Sequence, residues 1–306
     1  MKHPRTITYI LIAIFVVSQL IGIFVLSAGL QEVTKSETGE IELTYQQTAI
    51  GERPELSGTG TVIWLVMGIL LGTIVLLILA KYKLKSVWKG WFFLAVWITM
   101  SIALGVFMPY PAAYMIGLVL ALLKVLRKQP LIHNITEVLV YSGIAFLVAP
   151  LLPVMYSIIL LVIISFYDMY AVWKSKHMIT LAKFTSQSQL FAGLAIPSYQ
   201  EKKGKKTLST HAKKNMLETG NVAVLGGGDV VFPLLFSGSV MNWLLLSDVS
   251  KAVAVSYTLL ITVCATIALS LLFYVSKKGK FYPAMPPITA GCLVGLGIIY
   301  LLRLFF

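Results

Sequence analysis

The sequence predicts an all-α membrane protein, a nine-transmembrane-helix bundle with a cytoplasmic N-terminus and an external C-terminus. Three observations predict it. The 306 residues are 58% hydrophobic and only 12% charged, with a mean hydropathy of +0.86, a balance unlike that of soluble domains. Nine apolar runs approach the roughly 20 residues a helix needs to cross the hydrocarbon layer. The basic residues fall overwhelmingly on one side of the bundle that those runs define.

The first run, 7–29, is too long for a signal-peptide core, and no clear small-residue cleavage site follows it, so it reads as a retained span. The loop at about 30–60 carries Glu32, Glu37, Glu40, Glu42, Glu52 and Glu55. It reads as a polar external loop with no assigned chemistry. Runs at 61–80, 90–107 and 110–126 follow, the last two separated by Met108-Pro109. Runs at 135–150 and 153–173 are separated by the stretch from Pro150 to Pro153. Both are tight turns, because proline ends one helix and is tolerated in the first turn of the next. The segment 174–220 is the longest soluble stretch. Its lysine-rich part at 201–206 reads as a mobile, solvated linker, and residues 178–194 as an amphipathic segment on the bundle or membrane surface. Runs at 221–246, 252–275 and 286–305 complete a single polytopic membrane domain over 1–306. No internal repeat is evident.

With the N-terminus inside, 21 of the 25 Lys and Arg residues are cytoplasmic. Only Lys35, Arg53, Lys251 and Arg303 are external, a strong positive-inside signal. A basic face beside anionic membrane lipid accounts for the net charge of +13, and no nucleic acid is needed as a partner. Cys264 and Cys292 sit in apolar runs without CxxC spacing and read as buried small hydrophobes.

Two aspartates interrupt this pattern. Asp168 and Asp229 lie within apolar runs, where a charge costs a few kcal/mol or more. Asp168 is six residues before Lys174 and Asp229 eight residues into the run 221–246. At about 1.5 Å per residue, both lie roughly 9–12 Å below the same cytoplasmic face. Gly226, Gly227 and Gly228 precede Asp229. They read as a packing groove and equally as the means of a close approach by the sixth helix, which brings Asp168 nearer. Pro233 is expected to bend the seventh helix. Tyr167 reads either as a buried aromatic or as a wall and hydrogen-bond donor beside the acid. Pro283, Ala284, Met285, Pro286 and Pro287 open the ninth helix; three prolines remove three donors, and unwound backbone at this depth implies a hydrated pocket.

Two adjacent carboxylates share a proton, so that one acts as base and the other as acid on a water and an amide leaving group. No cofactor or metal is required. His3, His133, His177 and His211 all fall in cytoplasmic segments, and HExxH is absent, which argues against zinc and serine chemistry. Asn134-Ile135-Thr136 matches a glycosylation sequon on the wrong side of the membrane. Embedded acids and broken helices also suit a proton- or cation-coupled transporter or a leak channel, the competing reading.

Tyr167-Asp168, Gly226-Gly227-Gly228-Asp229 and Pro283-Ala284-Met285-Pro286, in this order on helices 6, 7 and 9, resemble the YD, GxGD and PALP motifs of presenilins and signal peptide peptidases. The nine-span plan and the long loop between helices 6 and 7 resemble that family as well. The chain is similar to a prokaryotic, archaeal presenilin homologue, with Met285 where the family usually has leucine. The volume is nearly conserved, so altered substrate fit is expected rather than lost chemistry. The resemblance implies intramembrane aspartyl proteolysis of single-span membrane protein substrates, with Asp168 and Asp229 catalytic. It implies that Tyr167, Gly226, Gly227, Gly228, Pro283, Ala284, Met285 and Pro286 position the substrate. The cytoplasmic N-terminus favours the presenilin branch and type I substrates. A substrate helix must unwind before attack, and pairing of the unwound strand with protein backbone is one route. Accessory subunits and a homo-oligomer are left open.

Overall fold

The computed structural model describes residues 5–35, 41–56, 58–127, 129–175, 181, 184, 190–197, 222–276 and 282–305. Among these, nine α-helices and two two-stranded antiparallel sheets form. In chain order they are α1 (Arg5–Ala28), β1 (Leu30–Lys35), β2 (Ile41–Tyr45), α2 (Thr59–Lys81), α3 (Lys85–Gly105), α4 (Tyr110–Leu126), α5 (Pro130–Val148), α6 (Val154–Met169), β3 (Gly193–Pro197), β4 (Val222–Gly226), α7 (Gly227–Leu246), α8 (Lys251–Val275) and α9 (Met285–Phe305). Eight helices are long and apolar enough to cross a membrane, and α4, at 17 residues, is the short ninth. The linker at 201–206 and most of 178–194 lie outside the described residues.

α7 is the axis of the bundle. Fifteen of its 20 residues are buried, as expected of a helix that is apolar all round, and α1, α5, α6, α8 and α9 surround it. α3 packs on α4 and α5. α2 buries only Thr61, Val62 and Leu79 and presents most of its apolar surface outward. Close approach of α8 and α9 depends on Gly291 and Gly295. A Cβ at these positions would lie 2.7 Å from the Cys264 carbonyl oxygen and 2.8 Å from the Ile261 Cα, the small-residue packing common between membrane helices.

The structure corrects several boundaries. α5 starts at Pro130 rather than near 135, because proline is pre-organised for a first turn and the polar side chains there have partners in β3. α3 starts at Lys85 rather than near 90. The seventh helix starts at Gly227 rather than 221, since 222–226 form β4, which pairs antiparallel with β3. α7 runs unbroken through Pro233. The external loop, read only as a polar excursion, is held to the bundle. β1 and β2 form a hairpin, the Tyr45 hydroxyl meets Asn242 of α7, and Arg53 donates to the carbonyls of Gln46 and Phe146 at 2.9 and 3.2 Å.

Candidate active site

Asp168 sits one residue before the end of α6, followed by a π-helical turn, Tyr170–Lys174. It is 9% exposed. Its Oδ2 accepts the Met285 N–H at 3.1 Å, and the Ala284 N–H also reaches the carboxylate. This contact explains the proline-rich segment. A helix N-terminus leaves four donors unpaired, and at membrane depth each is costly. In α9, Met285 donates to Asp168. Pro286 and Pro287 have no N–H, and Ile288 donates to the Ala284 carbonyl at 3.3 Å. All four positions are accounted for. Pro286 and Pro287 are helical rather than unwound, so the open backbone expected across this segment is confined to the residues before Met285. Ser165 and Thr289 bond at 2.8 Å one turn away and further tie α6 to α9.

Asp229 occupies the third position of α7 and reaches back to the Gly226 N–H, as the N3 carboxylate of a capping box does. Each aspartate therefore caps a helix N-terminus, Asp229 its own and Asp168 that of α9. A Cβ at 226 would stand 3.1 Å from Asp229 Oδ2, so glycine leaves the carboxylate room to fold back. The two carboxylates lie within electrostatic range of each other. They lie on α6 and α7, which pack on each other and on α9, and five residues of strand rather than helical rise lead up to Asp229.

The glycines do their work away from α6. Gly227 faces α5, where a Cβ would meet the Tyr141 ring at 3.3 Å, and Gly228 faces Phe232 of its own helix. Tyr167 is half-buried, and its hydroxyl bonds Thr73 of α2 at 3.1 Å. A cavity of about 510 Å³ opens beside Gly227 and Gly228, walled by Trp88, Trp91, Glu137 and Tyr141 among mostly apolar neighbours. The 283–286 segment bonds Asp168 directly and does not line this cavity.

A polar network unread in the sequence supports the site from the other side. Lys124 and Glu137 form an ion pair at 2.6 Å with both side chains buried. Lys124 also donates to Thr136 Oγ1 at 3.0 Å and to the His133 carbonyl at 3.5 Å. The other Glu137 oxygen accepts the Gly193 N–H at 3.2 Å, and His133 Nε2 donates to the Gly193 carbonyl at 2.8 Å. Asn134 exchanges two 2.9 Å bonds with Ala195. α5 thus fixes β3, β3 pairs with β4, and β4 runs into Asp229. Lys124 is a buried partner rather than a headgroup-facing charge. His133 and Asn134 are packing groups of α5 rather than parts of a free loop. A glutamate 13 residues after a lysine, across a proline turn, was the available signal.

The family profile described as signal-peptide peptidase, presenilin aspartyl protease matches residues 12–304. No curated protein matches significantly in sequence. Two solved structures of a presenilin family intramembrane aspartate protease superpose over 95% of this chain and 96% of theirs. The form in P2 gives a TM-score of 0.59 at 19% identity, and the form in C222 gives 0.55 at 17%. At these identities the likeness bears on the fold.

Proposed function

Because the chain belongs to the signal-peptide peptidase and presenilin aspartyl protease family, and so is a hydrolase built as an integral multi-pass membrane protein, we propose that Asp168 and Asp229 are its catalytic pair. The observation that carries this reading is their placement. They are the two aspartates within apolar spans, they stand within electrostatic range of each other, and each is anchored by backbone donors at a helix N-terminus. Two carboxylates so placed hold one proton between them. The ionised member takes a proton from water as the oxygen attacks the scissile carbonyl. The protonated member stabilises the developing oxygen charge, and a proton then passes to the leaving amine.

The substrates are single-span helical membrane proteins, which must unwind to expose a scissile bond. β4 is paired only with β3 among the described residues, and Val224 on it is 48% exposed. An unwound substrate strand added along the free side of β4 would run beside the chain that leads to Asp229. The segment from Pro283 to Pro286 and the three glycines shape the surroundings of that strand.

The test uses purified protein in proteoliposomes with a model single-span substrate. Asp168→Asn and Asp229→Asn should each lower cleavage by about 10³-fold or more, since one carboxylate cannot supply both acid and base. Both variants should keep the wild-type unfolding temperature within a few degrees. Substantial cleavage in either variant would reject the pair.

A further inference from the structure

α1 carries a polar side chain that serves another helix. Gln19 is 1% exposed within an apolar span. Its Nε2 donates at 2.8 Å to the carbonyl of Val230 in α7, the residue after Asp229. A carbonyl acceptor fixes which end of the amide faces α7. The Oε1 at the other end is buried and has no hydrogen-bond partner. The neighbouring Ser18 is satisfied within α1, by the Ile14 carbonyl at 2.7 Å. An amide at membrane depth with its acceptor unmet is costly, and a span selected for packing alone would carry Leu or Met at this position.

The bond lands where α7 is least able to hold itself. Gly227 and Gly228 open its first turn, and glycine restrains the backbone least of all residues. Pro233 has no N–H, which takes from the Asp229 carbonyl the bond that residue 233 would donate to it in an α-helix. α1 comes closest at the same place. A Cβ at Gly22, about one turn after Gln19, would run into the side chain of Leu234, one turn after Val230. Gln19 and Gly22 thus meet Val230 and Leu234 in a fixed register, with the hydrogen bond at the end nearer Asp229. We propose that Gln19 is a positioning residue for the catalytic pair, its bond to Val230 fixing the first turn of α7 and with it the Asp229 carboxylate relative to Asp168. It acts through the backbone of α7 and does not line the 510 Å³ cavity. The proposal rests on the assignment of Asp229 to the reaction.

Gln19→Met keeps the length of the side chain and removes the amide. It also removes the unpaired Oε1, and the Val230 carbonyl keeps its place in the α7 ladder, so the unfolding temperature should stay within a few degrees of wild type. Against a single-span substrate in proteoliposomes, kcat should fall by about 10- to 100-fold, the scale of loss when a reacting group is misplaced by about an ångström. KM should be unchanged. The bell of kcat against pH should narrow, because repulsion between the carboxylates sets the spacing of the pair's two macroscopic pKa values and weakens when they are held less closely. Gln19→Leu, a second variant without the amide, should behave alike, and Ser18→Ala, which loses a bond within α1, should keep the wild-type kcat. Wild-type kcat in the Gln19 variants, a bell of unchanged width, a loss carried by KM, a loss that tracks a falling unfolding temperature, or an equal loss in Ser18→Ala would each overturn the proposal. Asp229→Asn run in parallel separates the two readings. Cleavage surviving there rejects the catalytic pair, whereas full turnover in Gln19→Met rejects only the positioning role.

Discussion

Charge at membrane depth made Asp168 and Asp229 legible in the sequence, because a carboxylate is costly there unless it has a use. The structure adds how they are held. Each accepts backbone donors at a helix start, one from Gly226 and the other from Met285 and Ala284. The proton inventory of the pair has a consequence for rate. Below the lower macroscopic pKa both carboxyls are protonated and no base remains. Above the upper one both are ionised and no acid remains. Cleavage against pH should therefore follow a bell, with each limb falling tenfold per pH unit far from the optimum. A rate that rises monotonically across the stable pH range would show that a single titrating group controls turnover.

Long apolar runs bounded by proline turns placed all nine helices, because the bilayer leaves backbone little alternative. The strand pairs were not legible for the same reason. β3 and β4 are five-residue strands separated by a segment outside the described residues, and β4, as Val-Ala-Val-Leu-Gly, carries the same apolar signal as the start of a span. What makes it a strand is tertiary. Glu137, His133 and Asn134 fix β3 to α5, and β3 supplies the ladder. The buried Lys124–Glu137 pair is the foundation of that contact, and its energetics are testable. Lys124→Met leaves the Glu137 charge uncompensated in the interior and should cost about 3–5 kcal/mol. Adding Glu137→Gln removes the stranded charge while keeping an oxygen for the Gly193 N–H, and most of the loss should return. Thermal unfolding in detergent reads both variants. If the double variant is no more stable than the single, the pair does not hold β3 through charge.

At the scale of the molecule, the helical count and order followed from hydropathy, while the packing centre did not. α7 is no more apolar in sequence than its neighbours, yet it is the helix that α1, α5, α6, α8 and α9 enclose. Orientation comes from the charge split alone, with 21 of 25 basic residues on one side, and it decides which substrates present their cut region to the pair. An inward N-terminus sets the loop before α2 outside and the turn between α2 and α3 inside. Glu55 is exposed in the first of these and Ser86 is exposed at the start of α3, next to the second, and the native Cys264 and Cys292, within α8 and α9, are replaced by Ala. In that background, a membrane-impermeant maleimide applied to intact cells should label Glu55→Cys and leave Ser86→Cys unlabelled until the membrane is opened. The reverse pattern would invert the bundle. Asp168 and Asp229 would then lie near the external leaflet, and the expected substrates would be single-span proteins of the opposite orientation.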